Sequence, residues 1–253
     1  MSTVNDVWKH IFKTIGYDGQ IEILLSAKMI KDCRSSWKGV KNQFEPRLLC
    51  KHDKYEDMPD IFKQYNINLL SVNNGIYLLT KTSVYHYLVF NDNPVIEVER
   101  NNLSKVLQIG NSESSFIDNM RYSGIFERPE ILNEKILFGS MLNGRHRCNF
   151  TVKLNQKDVV VAGSQFETDG CYESDNKILV IEAKSCKNIT NFNIRQLYYP
   201  YRSLYDAKPG KEIVSIFINK DKSNVLHVWK FEFTNPLELT SIKCHYHIKY
   251  KLI

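Results

Sequence analysis

Apolar residues near the start of the chain recur three and four positions apart, which is the spacing of one helix face. Those in the first predicted helix are Val4, Trp8, Ile11, Phe12 and Ile15. The same spacing recurs over residues 20–31 and over residues 58–65, where Pro59 is tolerated in the first turn of a helix. We therefore predict three helices within the first 65 residues.

Two short apolar runs, residues 69–72 and 76–79, follow these helices and are separated by an Asn-Asn-Gly sequence. An Asn-Gly step between such runs is a strong hairpin signal. Helices followed by a hairpin are typical of a winged-helix module, and a generic α+β subdomain is the alternative. We predict a small winged-helix-like domain over residues 1–92, followed by a linker over residues 93–110.

Residues 111–253 show a different pattern, which is rich in short apolar runs. The predicted elements are, in order, a helix over residues 113–126, strands over 148–154, 165–172 and 177–184, a helix over 193–206, and strands over 213–218 and 225–233. This order predicts a mixed sheet flanked by helices. The fold class that we expect is therefore α/β in the broad sense, or α+β.

The composition is ordinary for a globular protein, with 43% hydrophobic and 25% charged residues. It excludes a disordered or collagen-like chain. No apolar run approaches the roughly 18 residues of a membrane span. The first residues also lack the basic start and apolar core of a signal peptide. We therefore expect a cytoplasmic protein with no membrane partner.

The six cysteines show no C-x-x-C pair and no regular spacing. In a chain without a secretory signal, such cysteines are expected as reduced thiols in or near the core. One cluster, Cys244, His245 and His247, has residue types that bind zinc, but it lacks a second ligand pair. A terminal strand with alternating faces is the preferred interpretation of that cluster.

Positive charge is concentrated near the N-terminus, although the formal net charge is only +6. Residues 28–54 contain eight basic and three acidic residues, which gives that segment a charge of +5. Basic side chains interleaved with polar and aromatic ones favour contacts with phosphates and bases, and a solvated surface is the alternative. The candidate DNA-binding residues are Lys28, Lys31, Arg34, Trp37, Lys38 and Lys41.

The segment that suggests a reaction is the apolar strand that ends in Glu182, Ala183 and Lys184. Side chains alternate along a strand, so Glu182 and Lys184 share a face and Ala183 points to the packed side. If residues 175–176 form the turn of a hairpin, Asp169 lies directly opposite Glu182. Directly opposed residues have Cβ atoms about 5 Å apart, where two like charges are destabilising unless a cation lies between them.

This arrangement suits Mg²⁺, which binds one or two carboxylates and keeps several waters. We expect Asp169 and Glu182 as ligands, with the carbonyl of Ala183 as a candidate third ligand. Lys184 would orient or deprotonate a water, or stabilise charge that develops on a phosphate. The residue set therefore predicts metal-assisted hydrolysis of a phosphodiester. The alternative is a surface hairpin with an ordinary Glu-x-Lys pair.

Through Asp169 and the triplet Glu182-Ala183-Lys184, the sequence resembles the PD-(D/E)XK nuclease superfamily. The resemblance covers roughly residues 111–233, where the predicted order of helix, three strands, helix and strand matches the core of that superfamily. Thr168 stands where the name of the motif has a proline, a position that varies among members. The resemblance implies a PD-(D/E)XK mixed-sheet core over residues 111–253.

The resemblance also implies roles for residues outside the triplet. Gln196 is similar to the glutamine that many members place on the helix after the motif strand, and a surface glutamine beside a kink at Pro200 is the alternative. Glu113 matches the additional acidic residue of some members, and a solvated helix glutamate is the alternative there. Glu167, on the same face as Asp169, is a weaker candidate.

An N-terminal DNA-binding-like module joined to this core resembles the type II restriction endonucleases that contain a winged helix. That resemblance implies Mg²⁺-dependent, sequence-specific cleavage of double-stranded DNA by a homodimer, with Mn²⁺ as a substitute metal. It also implies a cognate DNA methyltransferase as a genetic partner and not as a bound subunit. The alternatives are a repair or recombination nuclease of the same superfamily and a non-catalytic DNA-binding regulator.

Overall fold

The N-terminal helix shows how local sequence sets the boundaries of an element. The computed structural model describes residues 3–39, 44–102, 104–110 and 112–253. Helix α1 covers Val4–Ile15, and Thr3 caps it through reciprocal hydrogen bonds with Asp6. Gly16 ends the helix in the left-handed conformation, with φ of 68°, which a residue without a Cβ adopts at little cost.

The hairpin predicted near residue 75 is confirmed. The elements that follow α1 among the described N-terminal residues are β1 (Ile23–Ser26), α2 (Ala27–Asp32), α3 (Pro46–Leu49), α4 (Asp60–Gln64), β2 (Asn68–Asn73) and β3 (Ile76–Thr80). Strands β2 and β3 pair antiparallel, and Gly75 takes a φ of 71° in the turn between them.

The helix predicted over residues 20–31 is wrong in its first half. Residues 23–26 form β1 instead. Leu25 is fully buried whereas Leu24 is 58% exposed, so burial alternates as in a strand. Helix α2 starts only after Ser26, whose side chain accepts a hydrogen bond from the Met29 N–H. The helix predicted over residues 58–65 is confirmed as α4.

Strands from both predicted domains form one five-stranded sheet. Its order is β1-β3-β2-β8-β7, where β7 covers His146–Leu154 and β8 covers Lys157–Phe166. Strand β2 runs parallel to β8, with Asn73 paired to Ala162. The region predicted as a separate domain over residues 1–92 is therefore joined directly to a hairpin from residues 146–166.

A seven-stranded mixed sheet carries the predicted motif. Its order is β5-β14-β13-β12-β10-β9-β6. The members are β5 (Val95–Val98), β6 (Phe138–Gly139), β9 (Gly170–Glu173), β10 (Lys177–Lys184), β12 (Glu212–Lys220), β13 (Leu226–Phe233) and β14 (Ile242–Leu252). Strands β10 and β12 are parallel, and a short pair, β4 (Tyr85–Tyr87) with β11 (Asn191–Asn193), lies apart from both sheets.

Three details of the sequence prediction differ from the structure. The strand predicted over residues 148–154 is β7, which pairs in the five-stranded sheet, and the two-residue strand β6 takes its place beside β9. The strand predicted over residues 165–172 is divided, because residues 167–169 leave β8 before β9 begins. Part of the predicted linker, Val95–Val98, is an edge strand that pairs with β14.

Two helices cover opposite faces of β10 and so decide where its polar side chains point. Helix α5 (Glu113–Tyr122) packs in the same apolar cluster as Leu179, Ile181 and Ala183. Helix α6 (Arg195–Ala207) packs in the other cluster, with Val180, and continues without interruption through Pro200. Glu182 and Lys184, two and four residues after Val180, therefore lie on the α6 face.

One large apolar core joins the N-terminal helices to α6 and to the seven-stranded sheet. It contains Trp8 and Phe62 together with Tyr199, Phe217 and Trp229. Three of the six cysteines are buried and three are half-buried, which confirms their placement in or near the core. Among the described residues, no helix is both long and apolar enough to cross a membrane.

Candidate active site

The hairpin that carries the motif has the predicted register. Strand β9 pairs with β10 so that Ile181 lies opposite Gly170, which places Asp169 beside Glu182 at the end of the ladder. The Asp169 N–H donates to the carbonyl of Ile181 at 3.1 Å. The Ala183 N–H donates to Oδ2 of Asp169 at 2.7 Å, so the Asp169 side chain is fixed across the hairpin.

Glu182 is the buried centre of the site. Its side chain is only 7% exposed, and its Oε1 accepts hydrogen bonds from Nζ of Lys184 and from Nε2 of Gln196. Lys184 reaches it because the two residues share a strand face, and Gln196 reaches it from the first turn of α6. The structure therefore brings together four residues that were predicted from the motif, namely Asp169, Glu182, Lys184 and Gln196.

Burial and charge act in opposite directions on the two ionisable groups at this centre. Burial raises the pKa of Glu182 above its ordinary value, and the nearby Asp169 carboxylate adds to the rise, while Lys184 opposes it. Burial also opposes the charge on Lys184, but the Glu182 carboxylate outweighs it and raises the pKa of the ammonium. A cation that binds beside a buried carboxylate of this kind stabilises its charged form.

The two weaker acidic candidates occupy different places at the edge of this centre. Glu113 is the first residue of α5, and its Oε1 accepts a hydrogen bond from the Ser185 N–H at 3.2 Å, directly after Lys184. Glu167 is exposed and forms an ion pair with Arg145 at 2.9 Å. Glu113 is therefore tied to the end of β10, whereas Glu167 belongs to the rim.

The predicted site residues with polar side chains line one cleft of about 440 Å³, namely Glu113, Glu167, Asp169, Glu182, Lys184 and Gln196. The same cleft is lined by residues from the N-terminal part, among them Arg47, Lys51, His52, Asp53 and Tyr77. Arg47 and Lys51 belong to the basic segment 28–54, but none of these five was a named candidate for the site. The run Lys-His-Asp at positions 51–53 is a cluster of titratable residues, but nothing local in the sequence indicates that it meets a motif more than one hundred residues later.

Polar contacts attach this N-terminal loop to the entry of α6. The Asn193 N–H donates to the carbonyl of Asp53 at 3.0 Å, and the Asn193 side chain donates to the carbonyl of His52 at 3.4 Å. His52 itself is buried, and burial lowers its pKa to about 4. Asp53 lies close enough to contribute to the electrostatics of both Glu182 and Lys184.

The five candidate DNA-binding residues that the structure describes do not line this cleft. Lys28, Lys31, Arg34 and Lys38 are exposed, and Lys28 pairs with Asp32 at 2.6 Å. The ring of Trp37 is half-buried, with its centroid 5.0 Å from that of His10, so it packs within the N-terminal part. Lys41 lies outside the described residues.

The donor chemistry of the site fits a hard divalent cation. Among the hydrogen bonds of the described residues, Asp169 uses only Oδ2 and Glu182 uses only Oε1, which leaves one oxygen of each carboxylate for a ligand. The Oε1 of Gln196 is buried without a hydrogen-bond partner among the described residues. No group of three or more His, Cys, Asp or Glu side chains in the described part of the chain is arranged to hold a metal.

These observations define a mixed α+β protein in which two sheets share one polar cleft. Residues 80–251 match the family model described as domain of unknown function DUF6997, and residues 5–79 match a second, described as DUF6996. Because the first match covers about two thirds of the chain, the protein belongs to the DUF6997 family. No curated protein and no solved structure matches the chain.

Proposed function

We propose that this protein is a Mg²⁺-dependent endonuclease that hydrolyses phosphodiester bonds of double-stranded DNA, most similar to a type II restriction enzyme. One observation carries the proposal. Asp169 and Glu182 meet at the end of a β hairpin, and Lys184 and Gln196 both donate to Glu182 within a polar cleft. This constellation fits the PD-(D/E)XK motif in residue type, strand position and helix position.

The order of elements supports the same proposal. Helix α5, strands β6, β9 and β10, helix α6 and strand β12 follow each other in the chain, and the four strands are neighbours in one sheet. This is the order of helix, three strands, helix and strand, with β7 and β8 inserted between β6 and β9 and the short β11 inserted between β10 and α6. In the N-terminal part, the pairing of β1 with β3 beside the β2–β3 hairpin supports a winged-helix-like module.

In the proposed mechanism, Asp169, Glu182 and the carbonyl of Ala183 would hold Mg²⁺, which supplies Lewis-acid stabilisation of the attacking water and of the phosphate oxygens. Gln196 holds the Glu182 carboxylate in position, and its buried Oε1 is free to accept a hydrogen bond from water. The Lys184 ammonium, fixed by Glu182, stabilises the negative charge that develops on the phosphate.

The proposal extends to partners and setting. We infer a homodimer that acts on double-stranded DNA in the cytoplasm, with Mn²⁺ able to substitute for Mg²⁺ and a cognate DNA methyltransferase encoded as a genetic partner. Glu113 is proposed as an additional acidic residue of the site, because its carboxylate bonds the main chain next to Lys184. Lys28, Lys31, Arg34 and Lys38 remain candidate contacts to more distant phosphates, since they are exposed.

The test is cleavage of plasmid DNA with Mg²⁺, with Mn²⁺ and with EDTA. The wild type should give discrete metal-dependent fragments. Asp169→Asn should fold, because an amide oxygen still accepts from the Ala183 N–H, but it should not cut. Asp175→Asn is the matched control, since that exposed residue lies in the turn of the same hairpin and outside the cleft.

Two further readouts separate the alternatives. Mg²⁺ should raise the melting temperature of the wild type and of Asp175→Asn, and it should have a much smaller effect on Asp169→Asn. Smearing or degradation from DNA ends would favour a repair nuclease. Wild-type protein that binds diverse DNA and never cuts it with either metal would overturn the enzyme proposal and favour a DNA-binding regulator.

A further inference from the structure

The cleft has two walls, and its exposed cations lie on both. Arg47 and Lys51 come from the N-terminal part, on or directly after α3, and Arg145 comes from the turn before β7. All three are exposed. The buried carboxylate of Glu182 lines the same cleft. The cleft therefore combines an acidic floor with a cationic rim.

The rim cations are available to an anion. Lys51 faces Asp53 at 3.6 Å with its side chain 67% exposed, and Arg145 pairs with Glu167, which is also exposed. Asp53 is half-buried at 29% exposure, but both cations are exposed, and ion pairs of exposed cations contribute little to stability. These cations can therefore exchange a carboxylate for a phosphate at small cost. Arg47 forms no ion pair among the described residues.

The N-terminal wall of the cleft consists of Arg47, Lys51, His52 and Asp53. Buried hydrogen bonds fix this wall relative to the carboxylates of the site. The side chain of Asn191, which is fully buried, accepts from the Tyr55 N–H at 2.7 Å and donates to both oxygens of Glu56. Asn193 bonds the carbonyl of Asp53, as described above, and α6 begins two residues later with Gln196 in its first turn. The wall and the glutamine that holds Glu182 are therefore parts of one connected network.

From this geometry we propose that Arg47 and Lys51 bind backbone phosphates of the DNA next to the scissile bond. The DUF6996 region then forms the second wall of the substrate site and is not only a separate DNA-reading module. The turn Asn73-Asn74-Gly75 lines the same wall and lies beside the bound strand. This inference rests on the proposed function. It differs from the sequence prediction in the residues chosen from the basic segment 28–54, since the candidates named there were Lys28, Lys31, Arg34, Trp37, Lys38 and Lys41.

The experiment compares the salt dependence of binding to a labelled DNA duplex, in the Asp169→Asn background without divalent metal so that no cleavage occurs. Arg47→Gln/Lys51→Gln should weaken binding and lower the slope of log K against log salt by about two units, roughly one for each lost phosphate contact. Lys208→Gln/Lys222→Gln is the matched control, since both lysines are exposed and lie outside the cleft.

A parallel variant, Lys28→Gln/Lys31→Gln, tests the rival surface. A fall in slope for this variant and none for the Arg47/Lys51 variant would overturn the inference and return phosphate binding to α2. An unchanged slope for the Arg47/Lys51 variant, in a protein whose wild type cuts DNA, would overturn this inference alone. Wild-type protein that neither binds nor cuts DNA would overturn both this inference and the proposed function. Unchanged thermal unfolding of each variant shows that the fold is intact.

Discussion

At the scale of single residues, one carboxylate organises the site. Glu182 is buried, and its Oε1 accepts from both Lys184 and Gln196, so two donors from different elements depend on the same oxygen. A buried ion pair contributes little by itself, because desolvation offsets the attraction. Removing one partner is different, since the remaining charge stays buried without compensation.

This asymmetry predicts the outcome of a double substitution. Lys184→Met should lower the free energy of unfolding by about 3 kcal/mol at neutral pH, because Glu182 loses its cation. Adding Glu182→Gln should restore most of that loss. Urea unfolding measures both. Lys177→Met, at the other end of β10, should cost less, because its partner Glu212 is 58% exposed. A double variant no more stable than Lys184→Met would contradict the assigned pairing.

At the scale of elements, the three-residue strand β11 positions the loop that forms the N-terminal wall of the cleft. It pairs with β4 and, through Asn191, bonds the loop that carries the N-terminal wall of the cleft. The Asn191 side chain is fully buried and hydrogen-bonds Tyr55, Glu56 and Thr190. A buried polar group with all its hydrogen bonds made holds its neighbours in one arrangement. The placement of the wall therefore depends on this element.

We expect Asn191→Ala to destabilise the protein by about 2 kcal/mol, because the Tyr55 N–H and the Glu56 carboxylate lose their partner. It should also weaken DNA binding, although Asn191 does not line the cleft. Urea unfolding and the duplex-binding assay measure the two effects. Thr190→Val is the control, because among the described residues the Thr190 hydroxyl bonds only the exposed Glu56 and Asn191, and it should have the smaller effect on binding. Equal effects would argue against a special role for Asn191.

At the scale of the whole molecule, two buried histidines lie in different parts of the fold. Burial lowers the pKa of His52, beside the cleft, and of His247, on β14, each to about 4. The unfolded chain has ordinary histidines with a pKa near 6.5. Between those two values the unfolded state binds more protons, so stability falls as the pH decreases from about 6.5 to about 4.

Substitution of one histidine should flatten that dependence. His52→Phe removes one proton that is taken up on unfolding, so the slope of unfolding free energy against pH near pH 5 should fall by about 1 kcal/mol per pH unit. Urea titrations at several pH values between 4 and 7 measure it. Phe116→Leu, a buried ring on α5 that carries no titratable group, is the control and should leave the slope unchanged. No change in slope for His52→Phe would show that this ring is protonated in the folded state.

The part of the site that could be predicted from the sequence is the part held by local geometry. A two-residue turn at 175–176 fixes the register of its hairpin, so Asp169 and Glu182 could be paired by counting. Gln196, in the first turn of α6, was expected only from the resemblance to the PD-(D/E)XK superfamily. The opposite wall, with Arg47 and Asp53, is joined through contacts between residues more than one hundred positions apart. No local pattern encodes such a pairing, and the same reason explains the errors over β7 and β5.

The parallel pairing of β2 with β8 also decides how the chain can be divided. The two matched family regions meet near residue 80, at the end of β3, yet strand β8 of the second region relies on β2 of the first for one of its neighbours. A truncated chain that began there would expose an open strand edge together with the apolar face that Trp8 and Phe62 now cover. We expect such a fragment to self-associate instead of folding. The two family regions are distinct in sequence, but they should fold as one cooperative unit because they share a sheet and a core.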